Sequence, residues 1–138
     1  MIIEKINRKY KVILGSSSLR RKELLHKMLL KFDIKICNDK EIFPQEINKN
    51  LIPEYLAKQK ANQIATYLKD NFLLITADTI VIQNDDILHK PKNSNEAMMH
   101  LKKISNSTNS VITGVCIKSK KKEVTFSCTT KVFFNHLE

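Results

Sequence analysis

An α/β fold is the class this sequence predicts, and three observations carry the prediction. Short apolar runs rich in Ile, Val and Leu read as strands, and stretches with apolar residues at helical spacing fall between them. The C-terminal segment alternates at a period of two over a dozen residues. The 138 residues suffice for a real core in one domain and not for two, so a single domain over the whole chain is expected.

Residues 1–10 read as a short charged lead-in. Lys11-Val12-Ile13-Leu14-Gly15 then reads as a first strand stopped by glycine. Ser16, Ser17 and Ser18 fall where the chain turns into a helix whose apolar positions are Leu24, Leu25, Met28 and Leu29, and any of the three serines can cap it. A helix start after a Gly-Ser turn presents backbone N–H groups and the positive end of the dipole, which suits a phosphate. Arg20 and Arg21 lie in that first turn, where the dipole disfavours cations. Either they are ordinary surface arginines or an anion arrives to balance them. The stretch is not a Walker loop, lacking Gly-Lys-[Ser/Thr].

Phe32 to Cys37 reads as a second strand, and Asn38 to Asn50 as a polar loop containing Glu41 and Pro44, to which composition assigns no job. From Pro53 to Leu68 a helix is clear: Leu56, Ala57, Ala61, Ile64, Ala65 and Leu68 make one stripe, and proline is acceptable in the first turn. Lys60 stands four residues from both Leu56 and Ile64 and so shares the edge of that stripe. It either snorkels to solvent or aims its amine into a site.

Leu73 to Ile82 is the most apolar run, with Asp78 set in its middle. An ionised carboxylate inside a buried strand is costly unless a cation, a metal or hydrogen bonds compensate it. Two readings stand: Asp78 caps backbone donors at a bulge or strand end, or it is a catalytic carboxylate at the lip of a sheet. Gln83-Asn84-Asp85-Asp86 reads as a hairpin turn. Ile87-Leu88 returns as a short strand towards His89-Lys90-Pro91, where proline favours extended geometry at an edge for Lys90. A helix is predicted over Ser94–Ile104, capped by Asn93 or Ser94, with Ala97, Met98, Leu101 and Ile104 inward and His100 on its surface. Val111 to Lys118 and Glu123 to Phe134 form a long antiparallel hairpin about Ser119–Lys122.

The formal charge of +10 attracts polyanions irrespective of fold. The lysines are scattered, however, among abundant Ile and Asn, a pattern that AT-rich codons also produce. This argues against a dedicated nucleic-acid partner and equally suits a site for a polyanionic small molecule. Cys37, Cys116 and Cys128 are odd in number, widely spaced and set in apolar segments, so they are expected to be small core residues and not zinc ligands. With no run long enough to span a membrane and no secretory h-region, a cytosolic (cytoplasmic) location with no membrane partner is expected.

Ile13-Leu14-Gly15-Ser16-Ser17-Ser18-Leu19-Arg20-Arg21-Lys22-Glu23-Leu24-Leu25 resembles the N-terminal signature of the Maf family of nucleoside triphosphate pyrophosphatases. Further matches follow in the family's order. Leu56-Ala57-Lys58-Gln59-Lys60-Ala61 is similar to its helix lysine motif and Ala77-Asp78-Thr79 to its central acidic motif. His89-Lys90-Pro91 resembles its Gly-Lys-Pro, and Val111-Ile112-Thr113-Gly114-Val115 its Thr-Gly-Val strand. The resemblance implies hydrolysis of a nucleoside triphosphate between the α and β phosphates with a divalent cation such as Mg2+. It also implies a mixed sheet wrapped by helices, as in the inosine triphosphatases, with a cleft.

By the same resemblance Asp78 matches the proton acceptor, and Thr79 matches the residue that separates dTTP/UTP-type members from a methylated-GTP type. Arg20 matches a substrate-contacting position, while Ser16, Arg21, Glu41, Lys60 and Lys90 match positions lining the site. Physical chemistry agrees: Arg20, Arg21, Lys60 and Lys90 supply cations, and Asp78, with Glu41, can hold a hard cation or accept the water's proton. Sequence does not separate those two roles.

Leu19 stands where the family usually has proline and His89 where it has glycine. Family members also continue beyond the last hairpin with segments that complete the nucleotide site, so the expected fold lacks the C-terminal part. Two other readings follow, a shortened remnant without turnover and a basic nucleic-acid-binding module. Exposed apolar surface is expected at Phe126, Phe133 or Phe134, which favours self-association and allows a homodimer.

Overall fold

The computed structural model describes residues 2–38, 41–88 and 91–135. Six strands, β1 (Lys11–Leu14), β2 (Asp33–Ile34), β3 (Phe72–Gln83), β4 (Asp86–Leu88), β5 (Ser107–Lys118) and β6 (Glu123–Phe134), form one sheet. Its order is β2-β1-β3-β5-β6, with β4 paired to the end of β3. β1 pairs in parallel with β2 and β3, and the remaining pairs are antiparallel. The described α-helices are α1 (Ile2–Lys9), α2 (Leu19–Lys27), α3 (Ile52–Ala65) and α4 (Ser94–Ile104).

Helices cover both faces of the sheet, which is why β1 reads as a continuous apolar run. Ile13 points to one side, into a core with Ala57, Ala61 and Ile64 of α3 and with Phe72, Leu74 and Cys116. Val12 and Leu14 point to the other, where Leu25 and Leu30 pack, joined by Ile3 and Ile6 of α1. α3 lies close to the sheet because its contact positions are small. Ala57 and Ala61 are wholly buried. A Cβ on Gly114 would stand 2.2–2.5 Å from backbone atoms of Pro53 and Glu54, so the first turn of α3 rests directly on β5. Thr76 Oγ1 donates a buried hydrogen bond of 2.6 Å to the Ala57 carbonyl, fastening the same helix to β3.

β3 outruns its parallel partner. Pairing with β1 ends at Leu14↔Ile75, and the Gly15 N–H still reaches the Ile75 carbonyl at 2.8 Å. Beyond that point the chain leaves for α2, and the middle of β3 continues without its parallel partner, past the carboxyl end of β1, the place where ligands bind in open α/β sheets. The hairpin after β3 turns through Asn84 and Asp85 at φ 50° and 67°, as a two-residue turn of primed type requires.

Several sequence expectations are corrected. The lead-in is helix α1, whose two packed isoleucines make too short a stripe to register as periodicity. Of the apolar positions proposed for the second helix only Leu25 is buried; Leu24, Met28 and Leu29 are exposed. α2 ends at Lys27, and Leu29 adopts φ 62°, so the last two no longer lie on a helical face. The second strand shrinks to Asp33–Ile34 because β1 offers it only four residues. α4 has the predicted bounds and the Asn93 cap, but it buries no residue, and Met98 and Leu101 face solvent. β5 begins at Ser107 instead of Val111, drawn out by pairing with β6 as far as Phe134. Cys116 is buried and Cys37 half-buried, whereas Cys128 lies exposed on β6. The expected geometry of His89-Lys90 lies outside the described residues.

Candidate active site

Even-numbered residues of the central β3 segment face α3, and odd-numbered ones face α2, by the alternation of a strand. Asp78 therefore looks towards α3, at 9% exposure. Lys60, two turns along that helix, places Nζ 2.9 Å from Asp78 Oδ1 and 3.0 Å from Glu41 Oε1. Glu41 comes from the loop before α3. One ammonium thus bridges a buried carboxylate and a half-exposed one.

From the other face comes Arg21. Its Nη1 donates to Ser16 Oγ and to the Ala77 carbonyl, each at 3.1 Å, and its Nη2 donates to Thr79 Oγ1 at 3.1 Å. Ser16 Oγ also accepts from the Ser18 N–H, while Ser18 Oγ caps α2 through the Arg21 N–H. Thr79 lies opposite Thr113 in the β3–β5 register, and their hydroxyls are 2.9 Å apart. The guanidinium is thus fixed by acceptors from the turn and from the strand edge.

Burial sets the electrostatics. It pushes the Asp78 carboxyl above its usual range, outweighing the hydrogen bond and charge of Lys60; Glu41 adds to the rise and Arg21 opposes it. Burial would lower Lys60, but hydrogen bonds and charges from Asp78 and then Glu41 hold it above its usual value. For Arg21 burial prevails over the attraction of Asp78 and lowers it, which still leaves a guanidinium charged at neutral pH. A carboxylate whose ionised form is strained by desolvation is a stronger base, and cations on either side are arranged for an anionic partner. Among the described residues no three His, Cys, Asp or Glu side chains gather as a ready metal site.

The profile of the family described as Maf-like protein matches residues 11–138. The chain belongs to the Maf-like protein family. A dTTP/UTP pyrophosphatase of Porphyromonas gingivalis strain W83 is 42% identical over 133 residues, covering 94% of this chain and 67% of that protein. One from Flavobacterium johnsoniae is 40% identical over 137 residues, covering 99% and 70%. The Maf-like chain therefore spans about two thirds of the length of these relatives. Among solved structures, that of the Staphylococcus aureus Ham1 protein superposes with a TM-score of 0.62 at 11% identity, covering 88% of this chain and 70% of that one. This likeness bears out the mixed-sheet fold.

In this Maf-like chain the expected site residues Ser16, Arg21, Glu41, Lys60, Asp78 and Thr79 come together in one cluster. Arg20 stands exposed at the start of α2. Lys90 lies outside the described residues. Two residues around the cluster lie inside the matched motifs without a site role assigned by the resemblance. Thr113, noted only within a strand motif, holds the Thr79 hydroxyl, and Gln59 bonds the backbone next to Glu41. Gln59 precedes Lys60 on α3, and Thr113 lies across the sheet from Thr79.

Proposed function

We propose that this chain hydrolyses dTTP or UTP between the α and β phosphates, giving the monophosphate and pyrophosphate, and that it works in the cytoplasm. One observation carries the reading above the others: a buried carboxylate, Asp78, approached by Lys60 from one face of its strand and by Arg21 from the other. The family membership and the names of the relatives support the same chemistry.

In this mechanism Asp78 acts as general base. A carboxylate oxygen takes a proton from water, the hydroxide oxygen attacks the α phosphorus, and the bond to the bridging oxygen breaks with its electron pair leaving on pyrophosphate. The raised pKa of Asp78 suits it to the proton transfer, provided it is ionised when substrate arrives. Lys60 and Arg21 neutralise charge that grows on the phosphate oxygens and leaving group. Arg20, exposed at the helix start, and Lys90 would add to the binding of the phosphate chain. Thr79, held by Arg21 and Thr113, presents a fixed polar group that can favour one base over another.

Charge balance supports a divalent cation. Arg21 and Lys60 are already matched by Asp78 and Glu41, so a triphosphate brings negative charge that the cluster alone does not neutralise. Both carboxylates reach the Lys60 ammonium, so a cation held by them would take its place and free the Lys60 charge for the phosphates. Two carboxylates completed by phosphate oxygens fit Mg2+. Glu41 and one carboxylate oxygen of Asp78 would hold it, leaving the other Asp78 oxygen to accept the water's proton, and once bound it would screen the phosphates and make water more acidic.

The test is pyrophosphate release from dTTP, UTP, CTP, ATP and GTP with magnesium. Release is expected from the first two above all. No release above an Asp78→Asn control would overturn the reading.

A further inference from the structure

Glu41 belongs to residues 41–48, which carry no helix or strand ahead of the 3-10 turn at Lys49–Leu51, and its side chain is half-exposed. A carboxylate so placed keeps its partner only part of the time unless the backbone beneath it is held. The holding group is on α3. Gln59 accepts from the Ile42 N–H at 3.3 Å through Oε1 and donates to the Ile42 carbonyl at 2.9 Å through Nε2. One amide therefore grips both backbone groups of a single residue, as a neighbouring strand would. Four residues on, on the same face of α3, Gln63 Oε1 accepts from Cys37 Sγ at 3.4 Å. Cys37 and Ile42 are thus each fastened to α3. Two consecutive helix residues then hold two consecutive loop residues: Gln59 takes the Ile42 backbone and Lys60 takes the Glu41 carboxylate.

We propose that Gln59 is a positioning residue, which clamps the backbone at Ile42 so that the Glu41 carboxylate stays beside Lys60 and Asp78 and is available to a divalent cation. Gln59 touches neither substrate nor metal in this assignment, and its effect passes entirely through Glu41. The inference rests on the proposed role of Glu41 as a metal ligand, but the clamp itself does not. Groups that orient metal ligands from behind are worth roughly ten- to a hundredfold in metal affinity.

Two measurements on the whole chain decide it. The first is amide hydrogen exchange at Ile42 in wild type, in Gln59→Met and in Gln59→Glu. Gln59→Met, similar in size but unable to accept, is expected to speed exchange about tenfold or more for this one bond. Gln59→Glu keeps the acceptor but loses the donor to the Ile42 carbonyl, and its exchange should fall between wild type and Gln59→Met. Equal rates in Gln59→Met and wild type would overturn the clamp. The second is Mn2+ binding, followed by electron paramagnetic resonance with the metal alone. Gln59→Met and Glu41→Gln are each expected to weaken binding about tenfold. The double variant should bind no more weakly than Glu41→Gln, because the clamp has nothing left to position. Losses that multiply in the double variant, or unchanged binding in Gln59→Met beside a loss in Glu41→Gln, would overturn the proposal. Absence of Mn2+ binding in wild type, both with the metal alone and with a non-hydrolysable α,β-imido-dUTP present, would instead refute the metal reading and with it the functional half of the proposal, while the exchange rates still judge the clamp.

Discussion

Asp78 is held at a cost that a neutral side chain of the same shape would not meet. With its folded pKa raised above the ordinary 3.8, its contribution to stability is fully present below that value and is lost as pH rises through the folded one. Lys60 is also raised, so its pairing stabilises the fold below the ordinary lysine range and fades only as pH rises through its folded value. At neutral pH the ionised aspartate is therefore a burden and the lysine a gain. Asp78→Asn removes the first and weakens the second, leaving Glu41 as partner. The variant is expected to lose pyrophosphate release while its unfolding free energy moves by no more than about 2 kcal/mol, as a denaturant titration would measure. A larger loss would make Asp78 a structural residue. Titrated without metal, the Asp78 carboxyl should lie above the usual aspartate range; a value at or below it would contradict burial as the controlling effect. Arg21→Lys keeps the charge but not the fork that reaches Ser16, Ala77 and Thr79, and turnover is expected to fall about tenfold or more, since such sites do not accept the exchange. Asp78, Lys60 and Arg21 were legible because a charge in an apolar run, on a buried stripe or at the wrong helix end breaks a local rule. Gln59 and Thr113 break none. An amide or hydroxyl on a half-buried surface looks the same whether or not it holds something.

α3 is the element on which the cluster depends, and Gly114 sets its height above the sheet. With backbone atoms of Pro53 and Glu54 within 2.5 Å of any added Cβ, Gly114→Ala must lift the first turn of the helix. Destabilisation of about 3 kcal/mol or more is expected, read as a shift in the denaturant midpoint; an unchanged midpoint would mean the helix yields freely. At the end of α2, Leu29 sits at φ 62°, where a residue without a Cβ avoids a cost of about 1–2 kcal/mol. Leu29→Gly should therefore raise stability by roughly 1 kcal/mol after the added chain entropy is counted. α3, β3, β5 and β6 were readable because each has a long stripe or alternation set by burial. α1 is not, since Ile2, Ile3 and Ile6 among charged residues span little more than one turn, and the surroundings of α4 are not legible because amphipathic spacing does not say what lies opposite.

For the molecule as a whole, β6 is the exposed flank. Its residues from Glu123 to Lys131 face solvent along an edge that no strand pairs among the described residues, and Val124, Phe126 and Phe133 add apolar surface. Long apolar edges recruit further chains. The 138-residue polypeptide is expected to self-associate with rising concentration in sedimentation experiments, and Phe126→Lys should suppress it; a monomer at every concentration would show that the edge is protected. Among the described residues no helix is long and apolar enough to cross a membrane. The bond from Arg21 to the Ala77 carbonyl joins residues 56 positions apart, and the Thr79 hydroxyl meets Thr113 a further 34 along. During synthesis the first strand, turn and helix can form early, yet the cleft does not exist until β5 has left the ribosome. Nucleotide affinity is then a late event in biogenesis, and a ligand that arrives at that moment selects, by mass action, chains whose sheet is already paired.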